Sequence, residues 1–142
     1  MTQYICFQVA AGRYAVPLTP VAQVLRCENL VPLPASPPFI AGLLNLGGEV
    51  VPVLNLRSLF GLDPAEPTRR SRVLIAEHNG RKHGLLVDGV KELLALEASS
   101  IATVGVGASG PKAEFTAGVA KVRDSLVFIL DLPRLLQPEG AR

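Results

Sequence analysis

Short apolar runs punctuated by Gly and Pro set the rhythm of this chain. YICFQV, RYAVPL, GLLNL, EVVPVLNL, RVLIAE, KHGLLVDGV, AGVAKV and SLVFILDL follow one another with turn residues between them. Runs of this length, bounded by turn formers, predict strands. Helical periodicity is confined to four short segments, residues 19–26, 36–41 after its prolines, 56–60 and 133–137, which predict brief helices. The pattern is that of a mostly β protein.

The runs are not independent of one another. GLLNLGGEVVPVLNLRSLF, residues 42–60, lies over GVAKVRDSLVFILDLPRLL, residues 118–136, for 19 residues without a gap. Gly42 falls on Gly118, Val51 on Val127, and Leu54, Leu56 and Leu59 on Leu130, Leu132 and Leu135. Each copy reads as strand, two-residue turn, strand and short helix, with Asn55 and Asp131 placed to cap that helix. A weaker echo links GRYAVPLTPVAQVL, residues 12–25, with RKHGLLVDGVKELL, residues 81–94, each a strand followed by a short amphipathic turn. Two similar halves of four or five strands follow. Each half buries only a small core and has open strand edges, so packing the two together covers both. The expected architecture is one domain over residues 1–142, all β with a few short helices, built as a pseudo-twofold pair of small β-barrels.

Composition narrows the function. At 142 residues, 49% apolar and 18% charged, the chain forms one ordinary folded domain. Its net charge is +2, with five Phe, two Tyr and no Trp, which supplies neither the basic stripe nor the aromatic platforms of a nucleic-acid binder. Arg69, Arg70 and Arg72 cluster beside Pro64 and Pro67 and read as a solvated loop. MTQYICFQV lacks the features of a signal peptide, and no run reaches the length of a membrane span, so the expected location is the cytoplasm, without membrane insertion. Cys6 and Cys27 do not have the spacing of a zinc or redox pair. Cys6, in an alternating apolar run, reads as a small buried hydrophobe.

The order of these motifs resembles the CheW family, the adaptor that couples chemoreceptors to the histidine kinase CheA in bacterial chemosensory arrays. The similarity runs from Tyr4 to about Leu136 and is strongest at Gly42 to Arg57, at GLLVDGV (84–90), and at Gly118 to Leu132. It implies two intertwined five-stranded β-barrels of the SH3/OB-like kind and a role without catalysis or cofactor. The implied partners are the regulatory domain of a CheA-type kinase and the cytoplasmic hairpin tip of a chemoreceptor. Barrel ends would pack through apolar patches, and a groove between barrels would accept an amphipathic helix.

Carried over position by position, the resemblance assigns receptor binding to Leu18, Val21, Gln23 and Val24, and to the turn Asn45, Leu46, Gly47 and Gly48. It assigns kinase binding to the region of Leu86, Asp88 and Val90. Leu18 and Val24 serve equally as core residues, Asn45 either satisfies its turn or meets a partner, and Asp88 either meets the kinase or caps a turn into residues 90–94. Three positions depart from the family pattern. Gly47 stands where the family has Arg, Gln23 where it has Glu, and Asn55 where it has Asp. The resemblance implies that the first two form an ion pair on the receptor-facing surface in the family; losing both charges together can be nearly neutral for stability, so the surface reads as rewritten rather than damaged. Asn caps a helix about as well as Asp. The departures fit a divergent or non-flagellar pathway, or an adaptor that binds only one of the two partners.

Other chemistry is weak. GVGASG (105–110) is a literal GxGxxG, but Pro111 follows at once and no βαβ unit surrounds it; a Gly/Ser loop between the halves is the better reading. His78 and His83 flank the turn HNGRKH and read as exposed turn residues, without the further ligands a metal needs. No G-x-S-x-G elbow marks a nucleophile, so the chain does not read as an enzyme. The rival from another class is a sensor that binds a small molecule in the groove between barrels, although an apolar groove with few polar groups binds weakly and broadly.

Overall fold

The computed structural model describes residues 1–103 and 114–136. It is nearly all β. The strands are β1 (Thr2–Val9), β2 (Gly12–Pro17), β3 (Val21–Arg26), β4 (Ile40–Leu46), β5 (Glu49–Asn55), β6 (Arg72–His78), β7 (Arg81–Val87), β8 (Gly89–Leu96), β9 (Ile101–Thr103), β10 (Thr116–Val122) and β11 (Ser125–Leu130). Two single-turn helices, α1 (Leu56–Leu59) and α2 (Leu132–Leu135), follow β5 and β11.

The strands form two mixed sheets, one ordered β8-β1-β2-β11-β10-β9 and the other β3-β6-β7-β5-β4. Each sheet takes a hairpin from one half of the chain and its remaining strands from the other. The hairpins join by parallel pairing: β2 lies along β11 with Tyr14 opposite Phe128, and β7 along β5 with Gly84 opposite Val53. The internal repeat is therefore visible as matching topology. Pro52 fits within β5 because the parallel ladder to β7 begins only at Val53, so no bond to β7 is asked of the missing N–H.

Alternation along the strands feeds three cores. The largest lies between the sheets, with Ile5, Phe7, Tyr14, Leu54, Leu74, Leu85 and Leu130 among its members. The opposite faces of the same strands fill a separate core in each sheet: Cys6, Ala15, Val127 and Ile129 in the six-stranded one, and Val51, Val53, Val73 and Ile75 in the other. Strands buried on both sides read as continuous apolar runs, which is why VLIA and VFIL (127–130) lack clean alternation. Cys6 is fully buried, and desolvation raises its thiol pKa first among several causes, as a small hydrophobe in a core requires.

Helices 56–60 and 133–137 are present as α1 and α2, residue 137 lying outside the described residues. Asn55 Oδ1 accepts from the Ser58 amide at 3.4 Å and Asp131 Oδ1 from the Arg134 amide at 3.2 Å. The other two expected helices are not helices. Residues 21–26 form β3, paired antiparallel with β6, and residues 36–41 make a turn, closed by the Ile40 amide on the Pro37 carbonyl at 3.0 Å, that opens into β4. Residues 90–94 likewise belong to β8, paired with β1. In all three segments the apolar spacing is too short to propagate a helix, and a neighbouring strand supplies backbone partners instead. His83 also differs from expectation: it is partly buried, and its Nδ1 has no hydrogen-bond partner among the described residues. The GVGASG segment lies outside the described residues.

Candidate interaction surfaces

The turn between β4 and β5 is built locally. Gly47 and Gly48 both have positive φ, 59° and 91°, as a two-residue hairpin turn requires. Asn45 Oδ1 accepts from the Gly48 amide at 2.9 Å, so this side chain satisfies its own turn. A Cβ on either glycine would meet nothing within 4 Å, which leaves the turn open to solvent. Leu46 packs inward on the core of the five-stranded sheet.

Leu18 and Val21 pack against the central core. Gln23 and Val24 are exposed on β3, an edge strand, with Val24 at 44%. β3 and β4 lie at opposite edges of one sheet, yet Leu25 and Leu46 pack on the same core. Among the exposed apolar side chains is also Val50, at 64%, beside the turn.

Of the residues in the second group, Leu86 packs on the same core and Val90 is exposed on β8, at 36%. Asp88 caps no turn into residues 90–94, which are strand. Its carboxylate takes the Ala10 amide and the Arg57 guanidinium, with Arg57 Nη2 at 2.9 Å and Nε at 3.1 Å. Arg57 Nη1 also reaches the Asp63 carbonyl at 3.0 Å, and the Asp88 amide donates to the Gln8 carbonyl at 2.8 Å. Asp88 thus ties the β1–β2 turn, the start of β8 and α1 together. Sequence reasoning gave Arg57 no such role, because its partner lies 31 residues away.

A second ion pair was also missed. Arg123 Nη1 and Nη2 meet Glu92 Oε2 and Oε1 at 3.0 and 2.7 Å. This bidentate fork joins β8 to the β10–β11 turn. It lowers the carboxyl pKa of Glu92, the hydrogen bond from Arg123 being the first cause. Under the internal repeat Glu92 falls on Gln23 and Arg123 on Gly47. The strand registers agree: Glu92 is opposite Cys6 as Gln23 is opposite Ile75, with a bulge at the same place in each pair. Arg123 has the same left-handed backbone as Gly47, φ 55° against 59°. The repeat was the signal that could have found this pair.

Among the described residues no helix is long and apolar enough to cross a membrane, and no group of three or more His, Cys, Asp or Glu is placed to hold a metal ion. What the arrangement offers is open turns, edge strands and exposed apolar side chains on a rigid β frame, which suits binding to other proteins.

Comparison with known proteins agrees. The family model described as CheW-like domain matches residues 3–139. The chain is 31% identical to Protein FrzA of Myxococcus xanthus over 142 residues, 99% of this chain and 88% of that protein. It is 28% identical to the chemotaxis protein CheW of Helicobacter pylori over 137 residues, 96% of this chain and 82% of that one. The crystal structure of the scaffolding protein TtCheW from Thermoanaerobacter tengcongensis superposes with a TM-score of 0.87 at 30% identity, covering 96% of this chain and 88% of that one. These likenesses define a scaffolding adaptor of chemotaxis signalling. The chain belongs to the CheW-like domain family.

Proposed function

We propose that this chain couples the cytoplasmic tip of a chemoreceptor to the regulatory domain of a CheA-type histidine kinase, in the cytoplasm and without catalysis. The observation that carries the reading is the family match along residues 3–139. The receptor surface of this proposal comprises Gln23, Val24 and the turn Asn45 to Gly48, with Leu18 and Val21 shaping it from beneath; exposed Val24 and Val50 support it. The kinase surface comprises Leu86, Asp88 and Val90, with Asp88 acting through its hold on Arg57 and the β1–β2 turn. Residues 1–142 act as one domain of two pseudo-twofold barrel subdomains, a reading supported by the exchanged hairpins.

Calorimetric titration against the regulatory domain of the CheA-type kinase from the same genome tests this. A Kd in the micromolar range is expected, about −8 kcal/mol; no heat of binding with the protein folded would refute the kinase half. For the receptor half, Gln23→Glu with Gly47→Arg restores the charges the family carries. The turn accepts an arginine, since Arg123 already occupies the equivalent place with the same φ. Receptor affinity should change; an unchanged value sinks the assignment of this surface.

A further inference from the structure

The arginines that read as a solvated loop are brought beside a strand from elsewhere. Arg72 opens β6 and lies directly opposite Arg26, the last residue of β3. Arg69 and Arg70 occupy the turn before β6. Like charges directly opposite on an antiparallel pair repel, yet among the described residues no ion pair is formed by Arg26, Arg69, Arg70 or Arg72. Arg26, Arg69 and Arg72 line an open cleft of about 690 Å³ together with Cys27, Glu28 and Thr68. Arg70 and Arg72 continue into a second depression of about 440 Å³ that Lys91 also lines. Among the described residues Glu28 is the one carboxylate on the first cleft, and Asp88 on the second is engaged by Arg57.

Arg72 is held in place before any ligand arrives. Its Nη1 donates to the carbonyls of Arg69 and Ser71 at 2.7 and 2.8 Å, which leaves its other N–H groups for a partner. A guanidinium fixed in this way loses less freedom on binding.

We propose that this basic cleft docks an acidic, extended segment of a partner protein, with Arg26, Arg69, Arg70 and Arg72 pairing to successive carboxylates. The turn is not a phosphate cradle. Three of its backbone donors are used internally: the Thr68 amide on Ser71 Oγ, the Arg70 amide on Thr68 Oγ1, and the Ser71 amide on the Thr68 carbonyl. Phosphate nests depend on such amides being free. Nucleic acid fits less well, because no aromatic side chain lines either depression to stack on a base. Arginines contributed by a strand end, a turn and a second strand suit charges spaced along a chain.

The test is fluorescence anisotropy of the full chain with a labelled peptide alternating Glu and Gly. Arg69→Gln with Arg70→Gln should weaken binding about tenfold, the order expected for losing charge-assisted contacts, and Arg26→Gln should weaken it further. Arg81→Gln with Lys121→Gln removes the same charge from exposed positions elsewhere and should change affinity by less than about twofold, since only screened, long-range attraction is lost. The proposal is overturned if the two double variants bind alike, if the peptide does not bind saturably, if inorganic phosphate displaces it stoichiometrically, or if a DNA duplex binds the cleft more tightly.

Discussion

Glu92 and Arg123 stand, under the chain's internal repeat, where Gln23 and Gly47 stand in the other half, and only the former pair is charged. The fork at 2.7 and 3.0 Å closes β8 against the β10–β11 turn; nothing equivalent ties β3 to the β4–β5 turn among the described residues. Arg123→Gln should return the Glu92 carboxyl from its lowered pKa toward the ordinary carboxylate range, followed by carbon NMR titration. Because the Arg123 side chain is 65% exposed, stability at neutral pH should hardly change. A Glu92 titration unmoved by the substitution would show that the fork does not persist in solution.

Asp88 and Arg57 form a different kind of pair, with side chains only 31% and 23% exposed and a backbone amide sharing the carboxylate. Asp88→Ala leaves the guanidinium and the Ala10 amide without their acceptor, and should cost about 1–3 kcal/mol in urea unfolding. Arg57→Ala should cost a similar amount. The double variant should cost clearly less than the sum, because the two share one interaction.

Glycines at the two bulges and at the turn answer to different constraints. A Cβ on Gly42 would lie 2.6 Å from the Val31 carbonyl oxygen, and one on Gly118 would lie 2.8 Å from that of Ala102. Gly42→Ala and Gly118→Ala should each destabilise by about 1–3 kcal/mol, as overpacking against backbone does. At Gly47 only the left-handed backbone is at issue, so Gly47→Ala should cost about 1–2 kcal/mol without disturbing the neighbouring strands. Denaturation midpoints together with amide chemical shifts distinguish the two cases.

Burial of His83 sets the sign of an expected pH dependence. Burial lowers its pKa, the like charges of His78 and Arg81 add to this, and the nearby Arg81 backbone opposes it. The folded protein thus binds a proton less readily than the unfolded chain, and stability rises with pH. The contribution is complete above the unfolded value, about pH 6.5, and declines as pH falls below it and through the folded value. Urea midpoints measured from pH 7.5 down to about 5.5, above the ordinary carboxylate range, should fall for the parent chain and flatten in His83→Leu. An equal slope in both would assign the pH dependence to other groups.

Much of the fold was legible because its signals are local. Runs separated by Gly and Pro marked most of the strands, the repeat of residues 42–60 in 118–136 marked two hairpins with their capped helices, and Gly47 with Gly48 marked a tight turn. Residues 19–26 and 36–41 misled for a physical reason: apolar spacing over six or eight residues fits a helix or a strand equally, and a backbone neighbour decided between them. In the candidate surfaces, the place of Asn45 before the glycines offered two roles, capping the turn or meeting a partner, and the structure shows its Oδ1 on the Gly48 amide. Whether Leu18 and Val24 are core residues was left open, and the structure separates them: Leu18 packs against the central core while Val24 is exposed.

What the sequence by itself determined is the family, the β class and the local chemistry of turns and caps, all of which depend on residues close together in the chain. Only the tertiary structure decided that the two halves exchange hairpins, that Asp88 serves Arg57 and Ala10, that Glu92 holds Arg123, and that Arg26 comes to lie against Arg72. Each joins residues far apart along the chain, and their distance in space depends on strand register and sheet order, which are settled by burying three cores at once.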